Sequence, residues 1–232
     1  MLPIKDTIRA ESFPLVNWLL IIANGVVWFF MIDMTPGELQ RFAFTFGLVP
    51  ANINLFDPLM LYPFVTHMFL HGGWLHFISN IWILIIFGDN VEDRLGSFRY
   101  LIFYLLGGLA AAGLQAYMTP GSRVPAIGAS GAIAAVMGAY FLFYPRAKVI
   151  TLVPLFIFPY FLEIPAIVFL GFWFISQLYS GVLALAMESG PFTGGIAWWA
   201  HIGGFVFGLI FALPLIFRRR PRQPYPDEYY PW

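Results

Sequence analysis

The run Ala200-His201-Ile202-Gly203-Gly204-Phe205-Val206-Phe207-Gly208 sits inside an apolar stretch, roughly residues 197 to 217, long enough to cross a bilayer as a helix. An ionisable side chain is expensive at that depth and usually faces a bundle interior or a water-filled cavity. His201, Gly204 and Gly208 recur at i, i+3 and i+7, so the imidazole and two glycines share one helical stripe. A second stretch, 127 to 144, opens on Gly128-Ala129-Ser130-Gly131 and carries Ser130, Ala134 and Gly138 at i, i+4 and i+8. Stripes of small residues let membrane helices approach backbone to backbone. Packing one stripe on the other brings a hydroxyl to an imidazole. Serine becomes a nucleophile when a base takes its proton, and histidine, with an ordinary pKa near 6.5, is suited to that task.

Working outward, 60% of the 232 residues are hydrophobic and 10% charged, well above the apolar content of a soluble domain. The composition predicts one polytopic, all-α membrane protein. The 12 basic and 12 acidic residues balance, so net charge argues neither for nucleic acid nor for an acidic substrate; no nucleic-acid partner is expected, and the apolar composition makes the lipid bilayer the expected surroundings. With no cysteine there is no thiolate nucleophile, disulfide framework or Cys-type metal site. The N-terminus has charges at Lys5, Asp6, Arg9 and Glu11 but no small-residue cleavage site after a short apolar core, and is expected to stay uncleaved.

Six stretches approach spanning length: 14 to 32, 74 to 88, 98 to 118, 127 to 144, 164 to 187 and 197 to 217. The second is short, and the fourth rich in small residues. Residues 149 to 161 are also apolar, but Pro154 and Pro159 interrupt them, which predicts an interfacial connector. The predicted layout is a cytoplasmic N-terminus (1–13), a six-helix domain (14–217) and a basic, disordered cytoplasmic tail (218–232). Cytoplasmic loops are enriched in Lys and Arg. With both termini inside, ten of the twelve basic residues fall on the inner side and only Arg41 and Arg123 outside. Helices two, four and six then begin at the outer face, and His76, Asn80, Ser130 and His201 lie near those beginnings. At 1.5 Å per residue, Asn80 and His201 are each about 10 Å deep.

His76 and Asn80, at i and i+4, share a face of helix two and can both donate to an oxyanion, as can the backbone N–H of Ser130 at a helix start. The carboxylates near the spans map to the inner face or to outer loops, so a two-residue dyad is expected rather than a triad. His67 and His71, also i and i+4, lack the HExxH pattern or matching carboxylate of a metal site and are expected to support the outer loop by hydrogen bonding. Asn17 and Asn24 are expected to bond between helices, and Trp198 and Trp199 to lie in an interfacial belt. The long connection from Asp33 to Gly73 is expected to lie partly in the outer interface. Glu188 to Ala197, with Gly190, Pro191, Gly194 and Gly195, has the composition of a movable cover.

Taken together, GASG around Ser130, AHxxGxxxG from Ala200 to Gly208, HGGWLHFISN from His71 to Asn80 and VEDRLG from Val91 to Gly96 resemble the rhomboid family of intramembrane serine proteases, over roughly residues 14 to 217. The resemblance implies a compact six-helix bundle with Ser130 as nucleophile and His201 as general base. It also implies His76, Asn80 and the Ser130 amide around the oxyanion, Gly204 and Gly208 packing helix six on helix four, and a structural pair at Glu92 and Arg94. No cofactor or metal is implied. Substrates would be single-span membrane proteins, cleaved near the outer face of a prokaryotic plasma membrane. Two positions depart from the pattern: Tyr62-Pro63 replaces a Trp-Arg found in many relatives, and Ala134 replaces an aromatic that some place against the imidazole. An inactive relative that binds membrane clients is the alternative, and the retained Ser130, His201, His76 and Asn80 speak against it. Oligomeric state is open.

Overall fold

A computed structural model describes residues 2–54, 56–58, 61–155, 158–186 and 195–217. Its elements, in chain order, are β1 (Leu2–Asp6), α1 (Leu15–Met31), α2 (Pro36–Phe46), α3 (Pro63–Thr66), α4 (Trp74–Leu95), α5 (Ser97–Met118), α6 (Ser130–Phe143), β2 (Lys148–Leu155), β3 (Phe158–Pro165), α7 (Ala166–Ala186) and α8 (Trp198–Ala212). The chain is an integral, multi-pass membrane protein. Among the described residues four helices are long and apolar enough to cross a membrane: α4, α5, α7, and α8 with its 3₁₀ extension to Leu215. α1 and α6 are apolar but shorter.

α6 is the buried axis. All residues from Gly131 to Tyr140 are buried, and α4, α5, α7 and α8 surround them. Glycines set its spacing from α8. A Cβ on Gly204 would fall on the carbonyl oxygen of Gly131, one on Gly208 on that of Ala135, and one on Gly138 on that of Phe205. The contact face on α6 thus includes Gly131 and Ala135 beside the predicted Ala134 and Gly138.

The expected short second helix is not short: α4 runs on through Asp89-Asn90-Val91-Glu92-Asp93-Arg94. These polar residues have partners there. The buried Glu92 carboxylate accepts from the N–H groups of Val16 (3.0 Å) and Asn17 (2.7 Å) and from Ser97 Oγ (2.6 Å). It thereby caps α1, whose N-cap residue is Pro14 and offers no side-chain bond. Arg94 bonds instead to the carbonyls of Leu215 and Ile216 at 3.4 and 3.1 Å. The implied Glu92–Arg94 pair therefore works as two separate ties. Asn17 bridges helices, donating to Leu84 O (3.1 Å) and accepting from Tyr100 (2.8 Å), whereas Asn24 donates within its own helix to Leu20 O (2.8 Å).

The all-α expectation fails at the end of the bundle opposite Ser130. The predicted connector folds as the hairpin β2–β3, and the N-terminal segment adds β1 to give an antiparallel sheet of order β1-β2-β3. The prolines that suggested a connector are tolerated for a geometric reason. Pro154 pairs with Pro159 near the hairpin tip, and β1 reaches only as far as Leu152, so Pro154 needs no hydrogen bond on that side. The sheet is tied to the helices by Trp82 Nε1 donating to Pro3 O (2.6 Å), Asn90 Nδ2 donating to Asp6 (2.9 Å), and a bond from the Tyr140 hydroxyl to Asp6. The expected tail, 218–232, and most of the expected cover, 188–194, lie outside the described residues.

Candidate active site

Ser130 is the first residue of α6, so its N–H is one of the helix-start donors without an intrahelical acceptor. His201 lies in the first turn of α8. The backbone contact at Gly131 and Gly204 brings these two helix starts together, and Ser130 Oγ lies 2.8 Å from His201 Nε2. The hydroxyl and the imidazole picked out by sequence are hydrogen-bonded.

The loop entering Ser130 is held by Gly128. Its φ of +124° is a conformation side chains resist, and a Cβ there would lie 2.6 Å from His76 Nε2 and 3.7 Å from Asn80 Nδ2. The two predicted oxyanion donors therefore border the backbone two residues ahead of Ser130. Gly72 N–H points to His76 Nδ1 at 3.4 Å, which leaves Nε2 as the protonated, donating nitrogen. Asn80 Nδ2 is buried with no hydrogen-bond partner among the described residues.

Residues of the connection between α1 and α4 support this arrangement. His67 Nδ1 bonds Pro63 O (2.8 Å), and its own carbonyl accepts from Gly128 N–H (2.8 Å), so the loop before Ser130 is fastened to the turn after α3. Burial holds the His67 imidazole down to about 4, and it is neutral at pH 7. His71 is buried edge-on to Trp28, His76 and Phe77, and among the described residues neither of its ring nitrogens makes the hydrogen bond expected for it. Tyr62, at one departing position, donates to Thr45 O (2.7 Å) and ties α2 to α3.

Sequence reasoning missed α7's contribution. Trp173 of α7 stands against the imidazole, its ring centre 5.8 Å from that of His201 and tilted by 37°. One turn on, the buried Gln177 places Oε1 2.8 Å from His201 Nδ1. Trp173, Gln177 and Gly181 recur at i, i+4 and i+8 and face α8, with Gly181 against Trp198, Trp199 and Ile202. The legible signal was an amide within the apolar run 164 to 187. On the other side of α8, Gln115 of α5 accepts from Ala200 N–H (3.1 Å) and caps the start of that helix. Beside it is a cavity of about 460 Å³, between the 118–126 loop, the end of α7 and residues 195–199. Neither Ser130 nor His201 lines it.

A family model described as Rhomboid domain matches residues 58–218. The chain is 33% identical over 111 residues to Rhomboid-like protein 11, chloroplastic, of Arabidopsis thaliana, covering 48% of this chain and 39% of that protein. It is 30% identical over 161 residues to Rhomboid-like protease 5 of Toxoplasma gondii, covering 66% and 16%. It is 28% identical over 170 residues to Presenilin-associated rhomboid-like protein A, mitochondrial, of Danio rerio, covering 68% and 39%. The chain spans less than half the length of these relatives. Chloroplast and mitochondrion, the compartments in two of those names, lend no support to the prokaryotic plasma membrane expected from sequence.

Proposed function

The chain belongs to the rhomboid family, and from that premise we propose that it is an intramembrane serine endopeptidase working through Ser130 and His201. The observation that carries the reading is the 2.8 Å contact between Ser130 Oγ and His201 Nε2. Ser130 Oγ attacks the scissile carbonyl carbon while its proton passes to His201 Nε2. The resulting oxyanion is held by Asn80 Nδ2, His76 Nε2 and the Ser130 N–H. Collapse breaks the C–N bond, the departing amine takes the proton from Nε2, and the substrate's N-terminal part remains as an ester on Ser130. Water then attacks the ester, gives a proton to Nε2, and the proton returns to Ser130 as the acid leaves.

The proposed topology has six spans, α1 and α4 through α8, with both termini cytoplasmic and the site opening toward the outer face. Ten basic residues on the inner side support it. Substrates on this reading are single-span membrane proteins. Their scissile segment must be unwound, because a helical carbonyl is hydrogen-bonded and shielded, and small or helix-weakening residues near the outer face suit that need. A movement of α7 away from α4 admits the segment laterally.

The test is cleavage of a generic single-span substrate in liposomes by purified wild type, Ser130→Ala and His201→Ala. Wild type cleaves, both variants fold and do not, and the wild-type rate falls as pH drops and the base is protonated. Undiminished cleavage by Ser130→Ala would overturn the serine assignment. Binding without cleavage by wild type would favour a client-binding role.

A further inference from the structure

The polar chain around His201 does not end at the imidazole. Ser176 Oγ lies 2.6 Å from the Trp173 carbonyl oxygen, Gln177 Nε2 lies 3.0 Å from Ser176 Oγ and 3.3 Å from the same carbonyl, and Gln177 Oε1 lies 2.8 Å from His201 Nδ1. His201 Nε2 then meets Ser130 Oγ. The direction of this chain is fixed at its far end, because a backbone carbonyl can only accept. The Ser176 hydroxyl must donate to it, which leaves the Ser176 oxygen to accept from the Gln177 amide NH₂. Turning the amide over would set its oxygen against the Trp173 carbonyl and its NH₂ against Nδ1. The carbonyl group of Gln177 therefore faces His201, and the nitrogen opposite it must carry a proton.

We infer that Gln177 is a positioning residue for the proposed hydrolysis, the third member of the Ser130–His201 constellation, holding the imidazole in the tautomer with hydrogen on Nδ1 and the lone pair on Nε2. The inference rests on the protease reading and extends it. With the opposite tautomer Nε2 would donate, and it could not accept the proton of Ser130. After that proton moves, both ring nitrogens bear hydrogen, and Oε1 accepts from Nδ1–H of the imidazolium. An amide supplies only a partial negative charge, so it directs the base without raising its basicity as a carboxylate does. Trp173 from the same helix face fixes the ring plane while Gln177 fixes its rotation. Both supports sit on α7. The base is set only while α7 is seated on α8, and a displacement of α7 that admits substrate also releases Nδ1.

The test compares wild type, Gln177→Leu and Gln177→Glu in liposomes by single-span substrate kinetics across pH and by the rate at which a fluorophosphonate labels Ser130. The ¹⁵N spectrum of histidine-labelled protein, with His201→Ala identifying the resonance, reads the tautomer. Gln177→Leu is expected to lose about 10- to 100-fold in kcat and labelling rate with KM little changed, the loss that follows from misplacing a catalytic group. Its His201 resonance moves off the Nδ1-protonated position. Gln177→Glu keeps most of the activity, and the acid limb of its pH profile moves to higher pH, because a carboxylate favours the imidazolium. Gln177→Leu labelling at the wild-type rate with an unmoved resonance would overturn the inference. Should Gln177→Leu fail to fold, an unmoved acid limb in Gln177→Glu overturns it instead. Failure of folded wild type to label or cleave at all sinks the protease reading itself, which separates the two failures.

Discussion

Asn80 Nδ2 is a buried donor with nothing among the described residues to donate to. An unmet buried donor costs about 1 to 3 kcal/mol, a cost that makes sense where the missing acceptor appears only during reaction. Interactions made in the transition state and absent from the ground state raise turnover rather than binding. Asn80→Ala is therefore expected to lower kcat by about 10²- to 10³-fold with KM little altered. Its thermal stability should match or exceed that of wild type, because the unsatisfied group is gone. A fall in kcat accompanied by an equal fall in stability would assign Asn80 to the core. At this scale Ser130, His201, His76 and Asn80 were legible as candidates, since polar side chains in membrane-length apolar runs need a reason to be there. Gln177 met the same condition. Its partner is set by which face of α7 meets α8, and an amide is silent about that until its neighbours are known.

Between elements, the decisive contact is the α6–α8 crossing, where glycines replace side chains at Gly131, Gly138, Gly204 and Gly208. The stripes were readable because helical spacing is local. Gly204→Val sets a side chain on the Gly131 carbonyl and forces the two helix starts apart. The expected destabilisation is about 3 kcal/mol, the upper end of ordinary overpacking, because the clash is with backbone, read as a lower midpoint of thermal unfolding in detergent. Fluorophosphonate labelling of Ser130 should fall even where the protein stays folded, since the hydroxyl and imidazole separate. Wild-type labelling in Gly204→Val would mean that the crossing does not set the site. The sheet was not legible for the converse reason. β2 carries a β-branched run, Val149-Ile150-Thr151, yet its partner β1 is more than a hundred residues away in sequence and local pattern is blind to such pairing. Pro154 and Pro159 reinforced the misreading, because where a proline is tolerated depends on which edge is unpaired.

Across the whole molecule, a buried and a half-buried titratable group near opposite ends of the bundle give the fold two opposing responses to acid. His67, in the turn after α3, is held by burial down to about 4 from an ordinary 6.5. The unfolded chain binds that proton first, so the stability His67 contributes is present above about 6.5 and lost as pH falls through 4. Asp6, in β1, is raised by burial from 3.8 to about 6, against the opposing bond from Tyr140. Here the folded protein binds the proton more tightly. The contribution of Asp6 is present below about 3.8 and lost as pH rises through 6. Acidification from pH 7 to 4 thus withdraws stability at one end and adds it at the other. His67→Gln, which keeps a donor for Pro63 O but cannot titrate, should make the unfolding midpoint fall less than in wild type over this window. Asp6→Asn should make it fall more. Thermal unfolding in detergent at a series of pH values measures both slopes, and changes of the same sign in the two variants would show that these groups do not govern the response. The same series serves the proposed chemistry: protonation of His201 slows the reaction on acidification, and a variant whose stability barely changes between pH 7 and 4 exposes that loss free of unfolding.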